Sequence, residues 1–404
     1  GGMEKRDVII LGGGLVGLTL AIALDRHGLS SHVVDPLDPA RALDKGFDGR
    51  ASAIASASWR MFEALGLADE LRPHGCAIHR IEVRDGLQRE ALDFTTAQDE
   101  EPLGIMLENR ILRQTLHEAA LGCAGLARHV PDFAKETERG DHSVTVTLGS
   151  GKRISGALLL ACEGRNSPTR DAAGLRVARW SYDHSAIISA FDHSVDHRNI
   201  AHEIFYPDGP FALLPLNPGT RSALVWTVSR RDAPAVLALP EKAFLAEVSK
   251  RAGGLLGEVS LAAPRSAYPL GFHHAARITA RRLALVGDAA HGMHPIAGQG
   301  LNVGLRDVAA LVEVLVEGAR LGLEPGDAGL LARYERWRSV DTLSVSVATD
   351  TLTRLFSIPG RPARTIRRVG LGAVNRLPPL KRFFMAEARG KGGDLPRLLQ
   401  GELA

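Results

Sequence analysis

The size and composition of this chain limit what it can be. It has 404 residues, of which 45% are hydrophobic and 24% are charged, which is typical of about two soluble globular domains. The net charge of +3 is too small to favour nucleic-acid binding, and no apolar run reaches the ~20 residues of a membrane-spanning helix. Three widely spaced cysteines argue against a disulfide framework or a zinc site. We therefore expect a cytoplasmic protein that binds neither nucleic acid nor a metal ion.

The first predicted elements form a strand–helix–strand unit. Residues 7–11 are a short β-branched run that ends at glycine, residues 15–26 place apolar side chains on one helical face, and residues 32–35 are the second strand. This pattern is a βαβ unit of about thirty residues. Further helices are predicted over 61–71 and 111–120.

Strand patterns dominate the middle of the chain. Short alternating segments over 79–106 and 180–270 predict an antiparallel sheet, which includes strands at 211–216 and 222–227 joined by an Asn-Pro-Gly turn. Other predicted strands lie at 143–148, 157–161 and 283–286, and other predicted helices lie at 301–317 and within 330–356.

A glycine-rich turn between the first strand and the first helix is the first functional motif. Gly12 permits the tight turn, Gly14 lets the backbone approach a pyrophosphate, and Gly17 lets the helix pack closely on the strand. The free amides and the dipole at the helix N-terminus favour the anion. The motif predicts that a dinucleotide binds at Gly12, Gly14, Leu15, Val16 and Gly17.

An acidic residue completes this dinucleotide pattern. Asp35 stands at the end of the second strand, 23 residues after Gly12. In this position its carboxylate can accept hydrogen bonds from ribose hydroxyls, and it disfavours a 2′-phosphate. FAD or NAD is therefore a better match than NADP.

A second glycine-rich segment, residues 287–307, favours FAD of these two. An aspartate directly after a buried strand can bind the ribityl chain, glycines allow the backbone to approach a flat ring, and the amides at a helix N-terminus favour negative charge on a reduced flavin. We assign cofactor binding in this segment to Asp288, Gly298, Gly300, Leu301 and Asn302. A metal site built from Asp288, His291 and His294 is an alternative that no ligand geometry supports.

These motifs carry a resemblance to a known family. The chain resembles the class A flavoprotein monooxygenases, the family of para-hydroxybenzoate hydroxylase, and within it the ubiquinone-biosynthesis hydroxylases. The resemblance covers nearly the whole chain. The segments that carry it are residues 12–17, 48–54, 163–164, 287–291, and 295–307.

The resemblance implies roles for several residues. Arg50 would contact FAD near the nicotinamide or the substrate, Asn109 would be a polar FAD contact, and Pro295 would lie near the flavin face where oxygen reacts. His291 is a candidate catalytic base beside the flavin segment, with structural packing as the alternative. Glu163 stands where the family usually has an aspartate, so its detailed contact is an open question.

The resemblance also implies a reaction. NAD(P)H would reduce FAD, O₂ would add to give a flavin C4a-hydroperoxide, and an electron-rich phenol ring would attack the distal oxygen. The substrate would be a hydrophobic polyprenylated phenol of ubiquinone biosynthesis. The alternatives are an FAD hydroxylase of a soluble aromatic compound and an inactive flavoprotein scaffold of a biosynthetic complex.

The tail of the chain suggests a membrane surface or a partner. From Arg361 to the C-terminus there are ten Lys or Arg residues and three acidic residues, a net charge of +7. Apolar residues lie among these charges, which favours peripheral association with the inner membrane or with a biosynthetic complex. A solvated basic face is the alternative.

The predicted fold class is α/β. A Rossmann-like (GR2-type) FAD-binding domain, formed by residues 3–78, 107–177 and 276–330, is expected to be interrupted by a β-rich substrate domain. That second domain is expected to comprise residues 79–106 and 178–275. A helical, basic C-terminal region is expected over 331–404.

Overall fold

The computed structural model describes residues 3–43, 46–88, 91–97, 99–292, 300–341, 382, 385–386, 389–391 and 394–404. The fold is α/β, as predicted. Its helices are α1 Leu15–Arg26, α2 Pro39–Leu43, α3 Ser56–Ala64, α4 Ala68–Leu71, α5 Asn109–Leu121, α6 Pro168–Ala172, α7 Ala233–Ala238, α8 Glu241–Ala252 and α9 Gly300–Arg320. Residues 328–341 are also helical.

The strands form four sheets. In chain order they are β1 Glu4–Lys5, β2 Val8–Leu11, β3 Ser31–Val34, β4 Ala51–Ala55, β5 Cys76–Ile78, β6 Arg80–Asp85, β7 Leu92–Thr95, β8 Gly104–Glu108, β9 Leu126–His129, β10 Ala134–Arg139, β11 Val144–Leu148, β12 Arg153–Gly156, β13 Leu158–Ala161, β14 Val177–His193, β15 Ile200–Tyr206, β16 Gly209–Leu216, β17 Arg221–Ser229, β18 Val259–Ala275, β19 Thr279–Ala280, β20 Leu283–Leu285 and β21 His291–Gly292.

A six-stranded sheet forms the centre of the nucleotide-binding part. Its strand order is β19-β20-β13-β2-β3-β9, and the five strands from β20 to β9 run parallel. Strands β2, β3, β13 and β20 are buried along their whole length. Such fully buried apolar strands are typical of parallel sheets covered on both faces. Helices α1 and α9 pack into the same hydrophobic core.

The βαβ unit forms as predicted. α1 has the predicted bounds and buries eight consecutive residues from Gly17 to Leu24, because it lies between the sheet and neighbouring helices. It ends where Gly28 takes a left-handed φ of +79°, a conformation that a glycine adopts without steric cost.

An eight-stranded sheet dominates the middle of the chain, with the order β21-β18-β14-β17-β16-β15-β6-β7. The predicted strands around the Asn-Pro-Gly turn are β16 and β17, and they pair antiparallel. On one face, α8 packs Phe244 against Phe191 and Trp226. Neither α7 nor α8 was expected from the sequence pattern. On the other face, Ala201, Leu214 and neighbouring side chains pack on the three-stranded sheet β4-β8-β5.

The predicted helix over 61–71 is wrong in its bounds. α3 begins five residues earlier, at Ser56, and the chain turns at Leu65 and Gly66 before α4 begins. Gly66 has a φ of +77°, which ends a helix. The apolar periodicity continues across this turn because Leu65, Leu67 and Leu71 are all buried in the same core.

The C-terminus is packed against the nucleotide-binding part. Leu398 and Leu399 are fully buried, and the amide of Arg397 donates to Oε1 of Glu313 in α9 over 2.9 Å. The predicted helices within 330–356 lie partly outside the described residues, of which 328–341 are helical. The domain boundaries given above stay a prediction. Within the described ranges, no helix is both long and apolar enough to cross a bilayer.

Candidate functional site

Three loops meet at one edge of the parallel sheet. β20, β13 and β2 are adjacent and parallel, so the loops that follow their carboxyl ends emerge side by side. The first loop is residues 12–14, which lead into the first turn of α1, and the other two are residues 162–165 and the turn Gly287–Ala289. Val16 connects the first with the third, since a Cβ on Gly287 would lie 3.4 Å from its Cγ1. The two glycine-rich segments of the sequence therefore form one site.

The first glycine turn tolerates no side chain at two of its positions. A Cβ on Gly12, whose φ is +106°, would lie 2.1 Å from the carbonyl oxygen of Cys162. A Cβ on Gly17 would lie 1.9 Å from the carbonyl oxygen of Gly12. Both distances are far below van der Waals contact, so these glycines are required by packing.

Gly14 differs, because a Cβ there would meet nothing within 4 Å. It is the N-cap of α1, with no side-chain cap and no acidic residue in the first turn of the helix. The first amides of α1 have no intrahelical partner, and no side chain caps them. This is a helix N-terminus suited to a pyrophosphate.

Asp35 lies beside this turn. Its Oδ2 accepts a hydrogen bond from the amide of Gly13 over 2.5 Å, and its Oδ1 accepts one from the amide of Leu37 over 2.8 Å. These bonds fix the carboxylate at the end of β3, next to the glycine turn. Each oxygen keeps a lone pair for a ribose hydroxyl.

Glu163 makes a contact that the sequence left open. Its Oε1 accepts from the hydroxyl of Ser167 over 2.7 Å and from the amide of Thr169 over 2.9 Å. The carboxylate thus caps the N-terminus of α6, which an acidic group stabilises. The longer side chain of glutamate serves as a structural cap here.

Arg170 links the second loop to the third. It is fully buried, and its Nη1 donates to the carbonyl oxygens of Arg165 over 2.9 Å and of Ala289 over 3.1 Å. No local pattern in the sequence indicated this contact. It sets the position of the turn that carries Asp288.

Asp288 and Asp307 have opposite environments. Asp288 is exposed by its surface area, yet the protein around it still desolvates the carboxyl group and raises its pKa above 3.8, against the effect of the Arg165 guanidinium. Asp307 is fully buried. Burial would raise its pKa too, but interactions with His291 and Arg338 outweigh this effect and hold it below 3.8. Asp288 is the carboxylate available to a ligand, and Asp307 is structural.

Asp307 fixes the position of the third loop through contacts on its buried side. Its Oδ2 accepts from the amide of Gly287 over 2.8 Å and lies 2.8 Å from Nε2 of His291, while its Oδ1 accepts from Nε of Arg338 over 2.5 Å. His291 is 3% exposed. This burial and pairing favour a structural role for His291 over the predicted catalytic one.

The N-terminus of α9 borders the same site. α9 begins at Gly300, so the amides of Leu301 and Asn302 stand in its first turn, as predicted. The side chain of Asn302 is committed elsewhere. Its Oδ1 accepts from the amide of Ala55 over 2.9 Å, and its Nδ2 donates to the carbonyl of Ala53 over 2.6 Å. The side chain of Asn302 therefore joins α9 to β4.

Arg50 and Asn109 lie together at the start of β4 and α5. The amide of Asn109 donates to the carbonyl oxygen of Arg50 over 3.0 Å, and its Oδ1 accepts from the hydroxyl of Ser52 over 2.7 Å. The Arg50 side chain is exposed. Burial raises the pKa of Tyr268 in β18, and Arg50 opposes this shift. Arg50 therefore lies near the large sheet.

Comparison with known proteins decides the family. A family model described as an FAD binding domain matches residues 5–342. Over 398 residues the chain is 45% identical to the ubiquinone hydroxylase UbiL of Rhodospirillum rubrum, covering 98% of this chain and 92% of that protein. It is 34% identical to the 3-demethoxyubiquinol 3-hydroxylase of Escherichia coli, covering 96% of this chain and 99% of that protein. The chain belongs to the FAD-dependent monooxygenases.

Solved structures support the same fold for this flavin monooxygenase. The p-nitrophenol 4-monooxygenase PnpA of Pseudomonas putida superposes with a TM-score of 0.80 at 18% identity, covering 97% of this chain and all of that one. At this identity the likeness shows the fold alone.

The described residues fit FAD. The open helix N-terminus at Gly14 suits the pyrophosphate, Asp35 suits a ribose, and the exposed Asp288 suits the ribityl chain. Among the predicted site residues, Pro295 and Gly298 lie outside the described part of the chain, as does His294. Where the structure describes the chain, no group of three or more His, Cys, Asp or Glu residues is arranged to hold a metal ion.

Proposed function

We propose that this monooxygenase hydroxylates the aromatic ring of a polyprenylated phenol in ubiquinone biosynthesis, with NAD(P)H as reductant and O₂ as co-substrate. The observation that carries the proposal is the 45% identity to a ubiquinone hydroxylase over nearly the full length of both chains. The 34% identity to a demethoxyubiquinol hydroxylase supports the same substrate class.

The residues of the three loops would hold the cofactor. Gly12, Gly14, Leu15, Val16 and Gly17 with Asp35 would bind the ADP half, and Asp288 with the first turn of α9 would bind the flavin half. FAD, when bound, supplies the electrons that activate O₂ for insertion into the ring. The protein's share is to exclude water, to orient the ring and to stabilise charge.

The large sheet is the surface on which we place the substrate. Its inner face carries the apolar side chains that pack on β4 and β8, and Arg50 with its neighbour Tyr268 stands at one side of it. Such an apolar face suits a prenylated ring and keeps water from the reacting atoms. Arg50 and Pro295 are the residues we place near the flavin ring.

Peripheral association with the inner membrane, or with a biosynthetic complex, is part of the proposal. A polyprenyl tail partitions into lipid, and the C-terminal 44 residues carry the net charge of +7 described above. Arg389 and Lys391 are already committed to Glu100 and Glu101. The remaining basic residues of the tail are the ones that would meet anionic lipid.

The test is a strain that lacks this protein. Mass spectrometry of its quinone intermediates should reveal an accumulated prenylated phenol one hydroxyl short of the next intermediate. Re-introducing the wild-type chain should remove it, whereas a chain with Gly17→Ala should not. An unchanged quinone profile would reject the substrate class and favour a soluble aromatic substrate.

A further inference from the structure

The large sheet contains one buried carboxyl group without a partner. Glu203 in β15 is 4% exposed, and neither of its carboxyl oxygens has a hydrogen-bond partner among the described residues. Burying a polar group unpaired costs free energy, so an unpaired group of this kind in a native fold calls for an explanation. A missing ligand is one such explanation.

The strand register shows which way Glu203 points. Neighbouring residues of β15 alternate between the two faces of the sheet. Ile204 packs with Phe244 of α8 on the outer face, whereas Ala201 packs with Ala53 and Met106 of the three-stranded sheet. Glu203 shares the face of Ala201. Glu203 therefore points toward the three-stranded sheet. Asn302 of α9 joins this sheet, through β4, to the candidate flavin site.

The surroundings of Glu203 on this face are apolar and partly small. Its register partners are Val83 in β6 and Ala212 in β16, and the row continues to Val225 in β17 and Ile188 in β14. Three side chains on this face, Ala201, Ala212 and Ala223, are small and buried. The carboxyl is sealed from solvent in this structure, so a ring reaches it only by displacing apolar side chains.

Among the described residues, no charged side chain pairs with Glu203. His202 of the same strand and Glu82 and Arg84 of β6 interact with one another on the opposite face. The buried Asp85 of β6 stands on the face of Glu203, because it is the register partner of Phe205. Burial alone raises the pKa of Glu203 well above 4.5. Burial therefore favours the protonated form of Glu203, which can donate one hydrogen bond and accept others.

We propose that Glu203 contacts the substrate and pairs with the hydroxyl of its phenol ring. The proposal rests on the function proposed above and names the polar group that recognises the ring. A neutral acid suits a neutral lipophilic substrate, because the two exchange hydrogen bonds without burying a charge. In the complex, the Glu203 carboxyl group gains a hydrogen-bond partner. The phenol hydroxyl exchanges its hydrogen bond to water for one to this carboxyl group.

The test compares two ligands across three variants. The ligands are a short-tailed 2-prenylphenol and its methyl ether, which lacks the hydroxyl donor. Their dissociation constants are measured by equilibrium dialysis against FAD-loaded wild type, Glu203→Leu and Glu203→Gln. Ile204→Val, on the opposite face of the same strand, is the matched control. FAD content is measured for each variant.

Wild type and Ile204→Val should prefer the phenol over the ether by about tenfold, the value of one hydrogen bond. In Glu203→Leu this preference should fall to about one while FAD content is unchanged. Glu203→Gln, which retains a donor and an acceptor, should keep most of it. An undiminished preference in Glu203→Leu would overturn the inference. A wild type that binds neither ligand would reject the proposed function, which is a separate failure.

Discussion

Asp307 is a buried carboxylate with three partners beneath the candidate flavin site. It joins the amide of Gly287, the ring of His291 and the guanidinium of Arg338, and none of these groups is exposed to solvent. Removal of one partner from a buried ionic group leaves the others unpaired, which is far more costly than loss of a surface pair.

We therefore expect Asp307→Asn to lower the free energy of unfolding by about 3–5 kcal/mol. It should also reduce FAD retention, because the turn that carries Asp288 loses its support. Chemical denaturation and the flavin content of the purified protein measure both effects. Asp208→Asn, at an exposed turn, is the control and should be neutral. Equal stability of the two variants would contradict the structural role of Asp307.

Because Glu203 is a buried carboxyl group, we expect an unusual dependence of the free energy of unfolding on pH. Its pKa is raised in the folded state, so the folded chain holds a proton that the unfolded chain releases above its ordinary value of 4.5. The contribution of Glu203 to stability is thus lost as pH rises from 4.5 toward the folded-state pKa, by at most about 1.4 kcal/mol per pH unit.

Glu203→Gln cannot ionise, so we expect it to be more stable than wild type at pH 8 and to lose this advantage toward pH 5. Urea unfolding of both proteins across that range measures the difference. Glu63→Gln, at an exposed position of α3, serves as the control with a flat difference. If the free energies of unfolding of wild type and Glu203→Gln change in parallel with pH, the pKa of Glu203 is not raised by folding.

At this scale, the sequence predicts local geometry better than contacts between distant residues. Gly12, Gly17 and Asp35 stand in a local pattern whose spacing has a direct steric or hydrogen-bonding cause. The contacts of Asp307 with Arg338 and of Asn302 with Ala53 join positions far apart in the chain. No local spacing encodes such pairs, so the sequence did not predict them.

At the scale of elements, the glycine turn between β2 and α1 contains one glycine that packing requires and one that is open to a ligand. A side chain on Gly17 would collide with the backbone of Gly12, whereas one on Gly14 would meet nothing in the protein. The two glycines are three residues apart in one motif, so they form a matched pair of substitutions.

Gly17→Ala should destabilise the fold by about 1–3 kcal/mol or more, since the new methyl group overlaps backbone atoms. Gly14→Ala should leave stability within about 0.5 kcal/mol, yet weaken FAD binding roughly tenfold, since its methyl group stands where the pyrophosphate would approach. Thermal unfolding of the apoprotein and FAD titration separate the two. Unchanged FAD affinity in Gly14→Ala would place the pyrophosphate elsewhere.

The elements that the sequence predicted best are those with strong periodicity and a glycine boundary. α1 has both, and its bounds were correct. The helix over 61–71 was misjudged because the buried leucines continue their spacing across the turn at Gly66. α7 and α8 were missed because they are short amphipathic helices between strands, with modest apolar faces.

At the scale of the whole molecule, the C-terminus is part of the fold. Arg306 in α9 pairs with Asp341 over 2.6 Å and donates to the carbonyl oxygen of Gly390 over 2.5 Å. The amide of Ala57 donates to the carbonyl oxygen of Arg389 over 2.9 Å. Deletion of the tail would strip these contacts and the buried Leu398. Membrane association is therefore better tested by substitution than by truncation.

Replacement of Arg361, Arg364, Arg367 and Arg368 with Gln should weaken binding to anionic liposomes by more than tenfold, because each basic residue near such a surface contributes about 1 kcal/mol. Co-sedimentation with vesicles containing anionic lipid measures it. A variant in which the exposed Lys5, Lys135, Lys242 and Lys250 are replaced with Gln loses the same four charges and is the control for net charge. If the tail variant sediments as wild type does, the tail is a solvated face.

Oxygen insertion into a prenylated phenol is the central claim, and an isotope experiment tests it most directly. The FAD-loaded enzyme is supplied with NADH, a short-tailed 2-prenylphenol and ¹⁸O₂ in ordinary water, and the product is analysed by mass spectrometry. We predict a ring-hydroxylated product that contains one ¹⁸O atom per molecule. Reduction of the bound flavin by NADH with no hydroxylated product, or a product whose new oxygen comes from water, would contradict the claim.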